Sequence, residues 1–370
     1  MKDEEEQQGK SSSSDIRVAA VPSRKEFDFI NTIRHRAALD SSSSSATDHQ
    51  LASLVSGIGD DAAVIRTLAG KDTVVTADLL VEDIDFRREA MAPYLLGHKA
   101  LAVSLSDIAA MGARPRWALL SVGVPQDVWA SDFVDRLYDG LFELARRYDV
   151  KLIGGDTSRT NEKIVIDSIV LGECSAGTAV LRSGAKPGDQ LFVTGALGGA
   201  GAGLRLIERG KHVPPEFSGT TDSHSLEQLL LRHLRPEPRV GWGLVLGQER
   251  LATAMIDISD GLSSDLNHLC DESGVGALVE ASQIPIERRV SELCGRRALD
   301  PLLLALHGGE DFELLFTVKA EHADKLPKRV DGVSVTRIGE IKKSAEGIKI
   351  AEAARVWNLD PGGWEHFSKG

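Results

Sequence analysis

Several kinds of chemistry are missing from this sequence before any is found in it. Cysteine is scarce. Cys174, Cys270 and Cys294 stand far apart with no C-x-x-C pair, which points away from a disulfide framework or a zinc site and toward buried thiols in a reducing compartment. There is no G-x-x-x-x-G-K-[ST] phosphate loop, no complete G-x-G-x-x-G after a strand, no H-E-x-x-H and no strong nucleophile–base signature. Asp83-Ile84-Asp85 begins like a calcium loop but lacks the glycine and terminal glutamate of an EF-hand. No apolar run approaches the ~18 residues of a membrane span. The acidic, polar start from Lys2 to Gln8 is the opposite of a secretory leader, so the expected location is the cytoplasm. Positive charge is short as well. The 43 Lys and Arg against 55 Asp and Glu leave a net −12, which disfavours a nucleic-acid or anionic-membrane surface.

What is present is a chain of 370 residues, long enough for two domains, with 42% hydrophobic residues to fill their cores. Residues 1–23 are charged and then serine-rich, the composition of a disordered tail, and Ser41–Ser45 reads as a flexible insertion. Phe27, Ile30 and Ile33 recur at helical spacing and predict a helix at 25–38. Strands are then expected at Ala62–Arg66, Thr73–Thr76, Trp117–Val124, Lys151–Ile153 and Ile164–Leu171, with helices at Tyr94–Met111 and Phe133–Tyr148. The turn-rich Ser183–Asp189 marks a boundary near residue 180, giving a first domain over 24–180 and a second over 181–368. The second should hold strands at 190–194, 253–258, 275–280, 312–318 and 333–340. Its helices are expected at 198–208, 225–234, 240–250, 262–272, 287–306 and 320–327. The alternation supports an α+β chain of two α/β-layer domains.

Acidic residues beside small ones recur along this frame. They read Gly57-Ile58-Gly59-Asp60-Asp61, Thr76-Ala77-Asp78, Ser104-Leu105-Ser106-Asp107, Gly154-Gly155-Asp156, Asp257-Ile258-Ser259-Asp260-Gly261 and Gly308-Gly309-Glu310-Asp311. Carboxylates brought to one place repel, by about 4 kcal/mol per pair at ~4 Å and an effective dielectric of ~20. Something cationic must gather them, and a hard divalent ion bridging a polyphosphate is the expected agent. Each cluster alone also has a plainer reading: an Asx turn for Asp60–Asp61, a cap for Asp78, an exposed helix face for Asp107, and an ordinary strand–turn for Gly154–Asp156. Asp257–Gly261 reads as a helix capped by Ser263 or Ser264, and Glu310 as part of a charged loop. Asp78 is expected at the C-terminal end of its strand, a common ligand position. Asp107 falls inside an otherwise apolar helix and shares a face with Ser104. Buried there, it needs a metal, a cation or an opening to solvent.

Taken in order, these clusters closely resemble the thiamine-monophosphate kinase family of the aminoimidazole-ribotide synthetase and selenophosphate synthetase superfamily. The resemblance runs over about 25–368 and is most specific at Gly57–Ala62, Lys99–Pro115, Leu152–Thr157, Leu181–Asp189, Arg232–Arg239, Ile256–Asp265 and Gly308–Leu314. It implies a direct in-line phosphoryl transfer from ATP to thiamine monophosphate, giving thiamine diphosphate. It also implies an N-terminal half-barrel, a ferredoxin-like sheet with helices, that joins its twin in a homodimer, and a C-terminal α/β sandwich. By resemblance, Asp61, Asp78, Asp107, Asp156, Asp257 and Asp260 act through several magnesium ions, with the Thr76 hydroxyl and the Ala77 carbonyl as further ligands. Gly155, Asp156, Arg182 and Ser259 match ATP contacts, and Asp85, Glu310 and Trp364 match substrate contacts. Three positions depart from the family pattern: Ala77 replaces a hydroxyl residue, Asp85 a histidine, and Trp364 a tyrosine whose π-face it keeps. Two rival readings stand beside this one. Another ATP-dependent synthetase of the superfamily is the first, although the reactive Cys (or selenocysteine) and Lys pair of selenophosphate synthetase does not occur before Gly57. A nonenzymatic nucleotide-binding protein with a degenerate site is the second, against which the retained aspartates argue.

Overall fold

The computed structural model describes residues 54–56, 63–211, 225–295 and 300–365. The tail, the serine run, the helix expected at 25–38 and the segment Gly57–Ala62 lie outside them. The first sheet is built from β1 (Leu54–Ser56), β2 (Ala63–Leu68), β3 (Lys71–Val81), β4 (Arg114–Val124), β5 (Lys151–Arg159) and β6 (Val165–Ser175), in the order β1-β2-β3-β6-β4-β5. Its strands pair antiparallel except β4 with β5. Period-two burial fixes which face is covered. Val74, Thr76 and Leu80 of β3, Ala118, Leu120 and Val122 of β4, and Ile166, Ser168 and Val170 of β6 are all buried.

Two helices lie on that face, α1 (Pro93–Ala110) and α2 (Phe133–Arg147). The stripe of Leu137, Leu141 and Leu144 on α2 is the buried side the sequence predicted. The two helices touch through backbone, because Gly97 and Gly140 each sit where a Cβ would run into the other helix, at 1.7 Å from the Leu137 carbonyl oxygen and 1.8 Å from that of Tyr94. Pro93 starts α1, where its missing N–H costs nothing. From Leu95 through Ser106 every residue of α1 is buried.

The second sheet holds β7 (Gln190–Thr194), β8 (Ala252–Asp257), β9 (Val275–Glu280), β10 (Leu314–Val318), β12 (Val333–Lys343), β13 (Ile348–Glu352) and β14 (Arg355–Asn358), ordered β14-β13-β9-β12-β7-β10-β8, with the short β11 (Arg329–Val330) paired to β12. Alternation splits it between two cores. Met255, Leu314 and Phe316 face the core that α1 belongs to, while Ala254, Ile256 and Leu315 face a separate cluster. Among the helices that line the first side are α3 (Gly199–Glu208), α4 (Ser225–Leu234) and α5 (Val240–Gln248). There Phe316 stacks on Phe192 at 5.7 Å and meets Trp242 at 6.4 Å. The second side is covered by α6 (Leu262–Ser273) and, after α7 (Arg288–Gly295), by α8 (Pro301–His307). The result is a mixed α/β molecule of two sheets with α1 between them.

Several elements differ from the sequence expectation. The strand placed at Thr73–Thr76 runs on to Val81, so Asp78 stands within β3 and not at its end. The strand placed at Lys151–Ile153 continues to Arg159, which puts Gly154, Gly155 and Asp156 inside β5. Gly-Gly is tolerated there because β5 is an edge with one neighbour, and its register against β4 shifts between Ala118 and Leu119. The helices expected near 287–306 are α7 and α8, and Asp300 caps the second by accepting from Leu302 N–H at 2.8 Å, with Pro301 first inside it. The helix expected at 320–327 is a 3-10 run, Ala320–Lys325.

Candidate active site

The acids expected to work together sit on elements that meet at α1. On β3, Thr76 and Asp78 share the face toward this helix. Ser104 Oγ donates to Asp78 Oδ2 at 2.7 Å, and the Thr76 hydroxyl donates to Asp107 Oδ2. Ala77 between them is exposed. From the second sheet comes Asp257, buried at the end of β8, whose Oδ2 accepts from Ser106 Oγ at 2.6 Å. One helix therefore holds an acid of its own and touches acids from both sheets.

Past β8 the chain passes Ser259 and Asp260 and turns into α6. Neither Ser263 nor Ser264 caps that helix. Asp265 does so from within, accepting from the N–H groups of Asp260 at 3.2 Å and Gly261 at 3.0 Å. Ser263 instead ties the C-terminal segment. Its hydroxyl lies 2.8 Å from His307 Nδ1 and donates to the Gly362 carbonyl at 2.9 Å. That tie brings Trp364 N–H within 3.2 Å of the Asp260 carbonyl, leaving the indole half exposed at 52%. Burial, and then the charges of Asp260 and Asp257, push the Asp265 carboxyl well above its ordinary range, against the pull of Arg182. Three acids thus crowd this turn with Arg182 among the charges acting on it.

Opposite them, the segment Gly308–Glu313 is held in an unusual backbone. Gly309, Glu310 and Phe312 have φ of 63°, 55° and 48°, and such non-glycine conformations persist only when the surroundings over-determine them. Here they do. Glu310 N–H donates to the Ser259 carbonyl at 2.6 Å and Phe312 N–H to that of Ile258 at 2.9 Å. Asp311 accepts from Gly198 and Ala200 N–H at 2.6 and 3.0 Å, closing the N-terminus of α3. Burial pushes the Asp311 carboxyl up to about 6, in spite of Arg232 and those amides. Glu313, fully buried, takes Arg239 Nε at 2.5 Å, Arg232 at 3.2 Å and the Thr194 hydroxyl at 2.7 Å. Both oxygens of Glu310 meet Nζ of Lys99, at 2.8 and 2.9 Å, and Oε2 also lies 2.7 Å from His233 Nδ1. Burial alone would raise Glu310, but Lys99 and then His233 outweigh it and hold the carboxyl at about 2. Burial and then Lys99 push the His233 imidazole below its ordinary range, against the pull of Glu310.

Asp61 lies outside the described residues. Asp156 is exposed on β5, opposite Ser121, which in turn faces Asp167 of β6; Gly155, not Asp156, shares the row that contains Asp78. Asp85 pins the turn after β3, accepting from Val81 N–H at 2.7 Å. The backbone carbonyl of Arg182 accepts from Ser273 at 2.8 Å. Reading the sequence alone passes over Lys99, Ser106, His233, Asp265 and Glu313. For Lys99 the signal was there, a charge inside the same apolar helix that drew attention to Asp107; for the others, partners far apart in the chain gave none.

Among the described residues, no group of three or more His, Cys, Asp or Glu side chains could by itself hold a metal ion. The donors gathered along α1 and the β8–α6 turn are nonetheless all oxygens, and they carry an excess of negative charge strong enough to disturb Asp265. That suits a hard cation such as magnesium, which takes one or two carboxylates together with substrate phosphates in preference to an all-protein cage.

Such a fold and acid-lined junction define a class. The chain matches the AIR synthase related protein N-terminal domain over residues 59–174 and the corresponding C-terminal domain over 186–351. It is 37% identical to thiamine-monophosphate kinase of Bacillus subtilis (strain 168) over 347 residues, 92% of this chain and 99% of that one. It is 40% identical to thiamine-monophosphate kinase of Salmonella typhimurium over 324 residues, 84% and 92% of the two chains. A solved structure, AaThiL complexed with AMPPCP and TMP, superposes with a TM-score of 0.77 at 32% identity, covering 92% of this chain and 97% of the other. The chain belongs to the thiamine-monophosphate kinase family.

Proposed function

We propose that this protein transfers the γ-phosphoryl group of ATP to thiamine monophosphate, releasing thiamine diphosphate and ADP. The observation that carries the reading is α1, whose Ser104 and Ser106 hydroxyls hold Asp78 of the first sheet and Asp257 of the second, and whose own Asp107 accepts from Thr76. An oxygen of the substrate's phosphate attacks the γ-phosphorus, and the bond from that phosphorus to the β–γ bridging oxygen breaks. The attacking oxygen is already anionic near neutral pH, so no side chain has to take a proton from it, in keeping with a site that relies on positioning and charge. Asp61, Asp78, Asp107, Asp156, Asp257 and Asp260, with the Thr76 hydroxyl and the Ala77 carbonyl, would hold magnesium, which when bound supplies positive charge to the polyphosphate oxygens. Arg182 adds a fixed positive charge toward ATP, and Gly155 and Ser259 complete the nucleotide contacts. Asp85 and Trp364 face the thiamine moiety, the indole offering its π-face to the cationic ring.

The protein works as a homodimer in the cytoplasm on this reading. The support for pairing is the edge strand β5 and the outer face of the first sheet, where Leu79 and Ile153 are each 58% exposed. The support for the compartment is three free, buried cysteines and, among the described residues, no helix long and apolar enough to cross a membrane. The domain limits proposed are 24–180 and 181–368. The test is incubation with ATP, magnesium and thiamine monophosphate, with the product identified by mass. Thiamine diphosphate and ADP in equal amounts are expected. ATP binding without turnover, or turnover only on an aminoimidazole precursor or selenide, would overturn the reading.

A further inference from the structure

Lys99 is completely buried, and its Nζ spans from α1 to both oxygens of Glu310 at 2.8 and 2.9 Å. Ser106, on the same helix, reaches Asp257 at 2.6 Å. The two lie two turns apart, about 10.5 Å at ~1.5 Å per residue, and therefore on one face. That face looks to the second sheet, while Ser104 and Asp107 look to β3. The segment Glu310 belongs to is in turn zipped to Ser259 and Ile258 by backbone hydrogen bonds. Two tethers thus run from α1 to the same β8–α6 turn, one directly to Asp257 and one through Glu310. We propose that Lys99 and Glu310 are positioning residues: their buried ion pair, seconded by His233, fixes the acids of the second sheet relative to Asp78 and Asp107 of the first. Glu310 then serves the reaction through the backbone it anchors, with its carboxylate committed to Lys99 and not to the thiamine ring.

This inference rests on the metal-dependent kinase reading, and its test separates the two. Free Mn²⁺ is titrated by electron paramagnetic resonance into the full-length protein with a non-hydrolysable ATP analogue. The double variant Lys99→Met/Glu310→Gln removes both charges without stranding either. Its Mn²⁺ dissociation constant is expected to rise roughly ten- to a hundredfold, as when an outer partner of a metal ligand is lost, while KM for thiamine monophosphate stays within about threefold. The reverse split, unchanged Mn²⁺ affinity with a raised KM for thiamine monophosphate, would make Glu310 a substrate contact and overturn the proposal. Ser106→Ala, which keeps the ion pair and cuts the other tether, should weaken Mn²⁺ in the same direction. If the double variant does not fold, unchanged Mn²⁺ affinity in Ser106→Ala overturns the tether by itself. A native protein that binds no Mn²⁺ at all would remove the metal reading and this inference together.

Discussion

Replacing Asp107 by asparagine would keep the side chain's shape and its acceptor oxygen for the Thr76 hydroxyl, and would take away only the charge. Turnover is expected to fall at least ~100-fold, the scale on which fixed charges act in such sites, with an unchanged circular dichroism spectrum; near-normal turnover would take Asp107 out of the metal role. Two histidines make a second prediction at this scale. Burial depresses His98 from 6.5 to about 3 and, with Arg182, depresses His268 from 6.5 to about 4. The unfolded chain binds protons that these rings refuse, so the stability they contribute is fully present above pH 6.5 and is lost as pH falls toward 4 and 3. Asp311, raised from 3.8 to about 6, works the other way between those values, and Glu310, lowered from 4.5 to about 2, adds to the loss below 4.5. The urea midpoint should therefore fall as pH drops from 6.5 to 4, and His98→Gln should flatten the slope. A midpoint that rises over that range would contradict the assignment.

Among the elements, β5 offers the sharpest test. Gly155 has φ of 146°, and a Cβ on it would lie 1.9 Å from the Leu120 carbonyl oxygen. Gly155→Ala should cost at least ~2 kcal/mol in urea unfolding, from strain and overlap together; an unchanged midpoint would show that the edge relaxes freely. How well the elements could be read follows from their periodicity. The α2 stripe and β9 were legible because their patterns are strong and bounded by turn residues. Asp78 and Asp156 were misplaced because an acid and a Gly-Gly pair look like punctuation, and only the partner strands, distant in the chain, show that β3 and β5 continue through them. The acidic clusters themselves were legible, since carboxylates beside small residues stand out in any sequence. Their counter-charges were not: Lys99 lies more than two hundred residues from Glu310, and no local pattern announces that distance. Ser263 or Ser264 was expected to cap α6, yet Ser263 binds the C-terminal segment, while the less conspicuous Asp265 takes the turn's amides.

At the scale of the whole molecule, pairing with a second copy would cover the exposed edge and outer face of the first sheet. Ile153→Lys changes a residue that is 58% exposed in the single chain, so folding stability should shift by no more than ~0.5 kcal/mol. Sedimentation should nonetheless move from dimer to monomer at micromolar concentration. A native chain that sediments only as monomer would contradict the pairing. Magnesium is tested at the same scale: chelation should abolish thiamine diphosphate formation and re-addition restore it, and full activity in excess chelator would exclude the metal.

Because α1 is wrapped on every side from Leu95 to Ser106, its peptide hydrogens can meet solvent only when the two sheets separate. In heavy water these amides should be among the last to exchange, at a rate set by global opening and not by local fraying. The central helix therefore doubles as an internal gauge: any ligand that draws the lobes together would slow deuterium uptake there before it changed anything measurable at the surface.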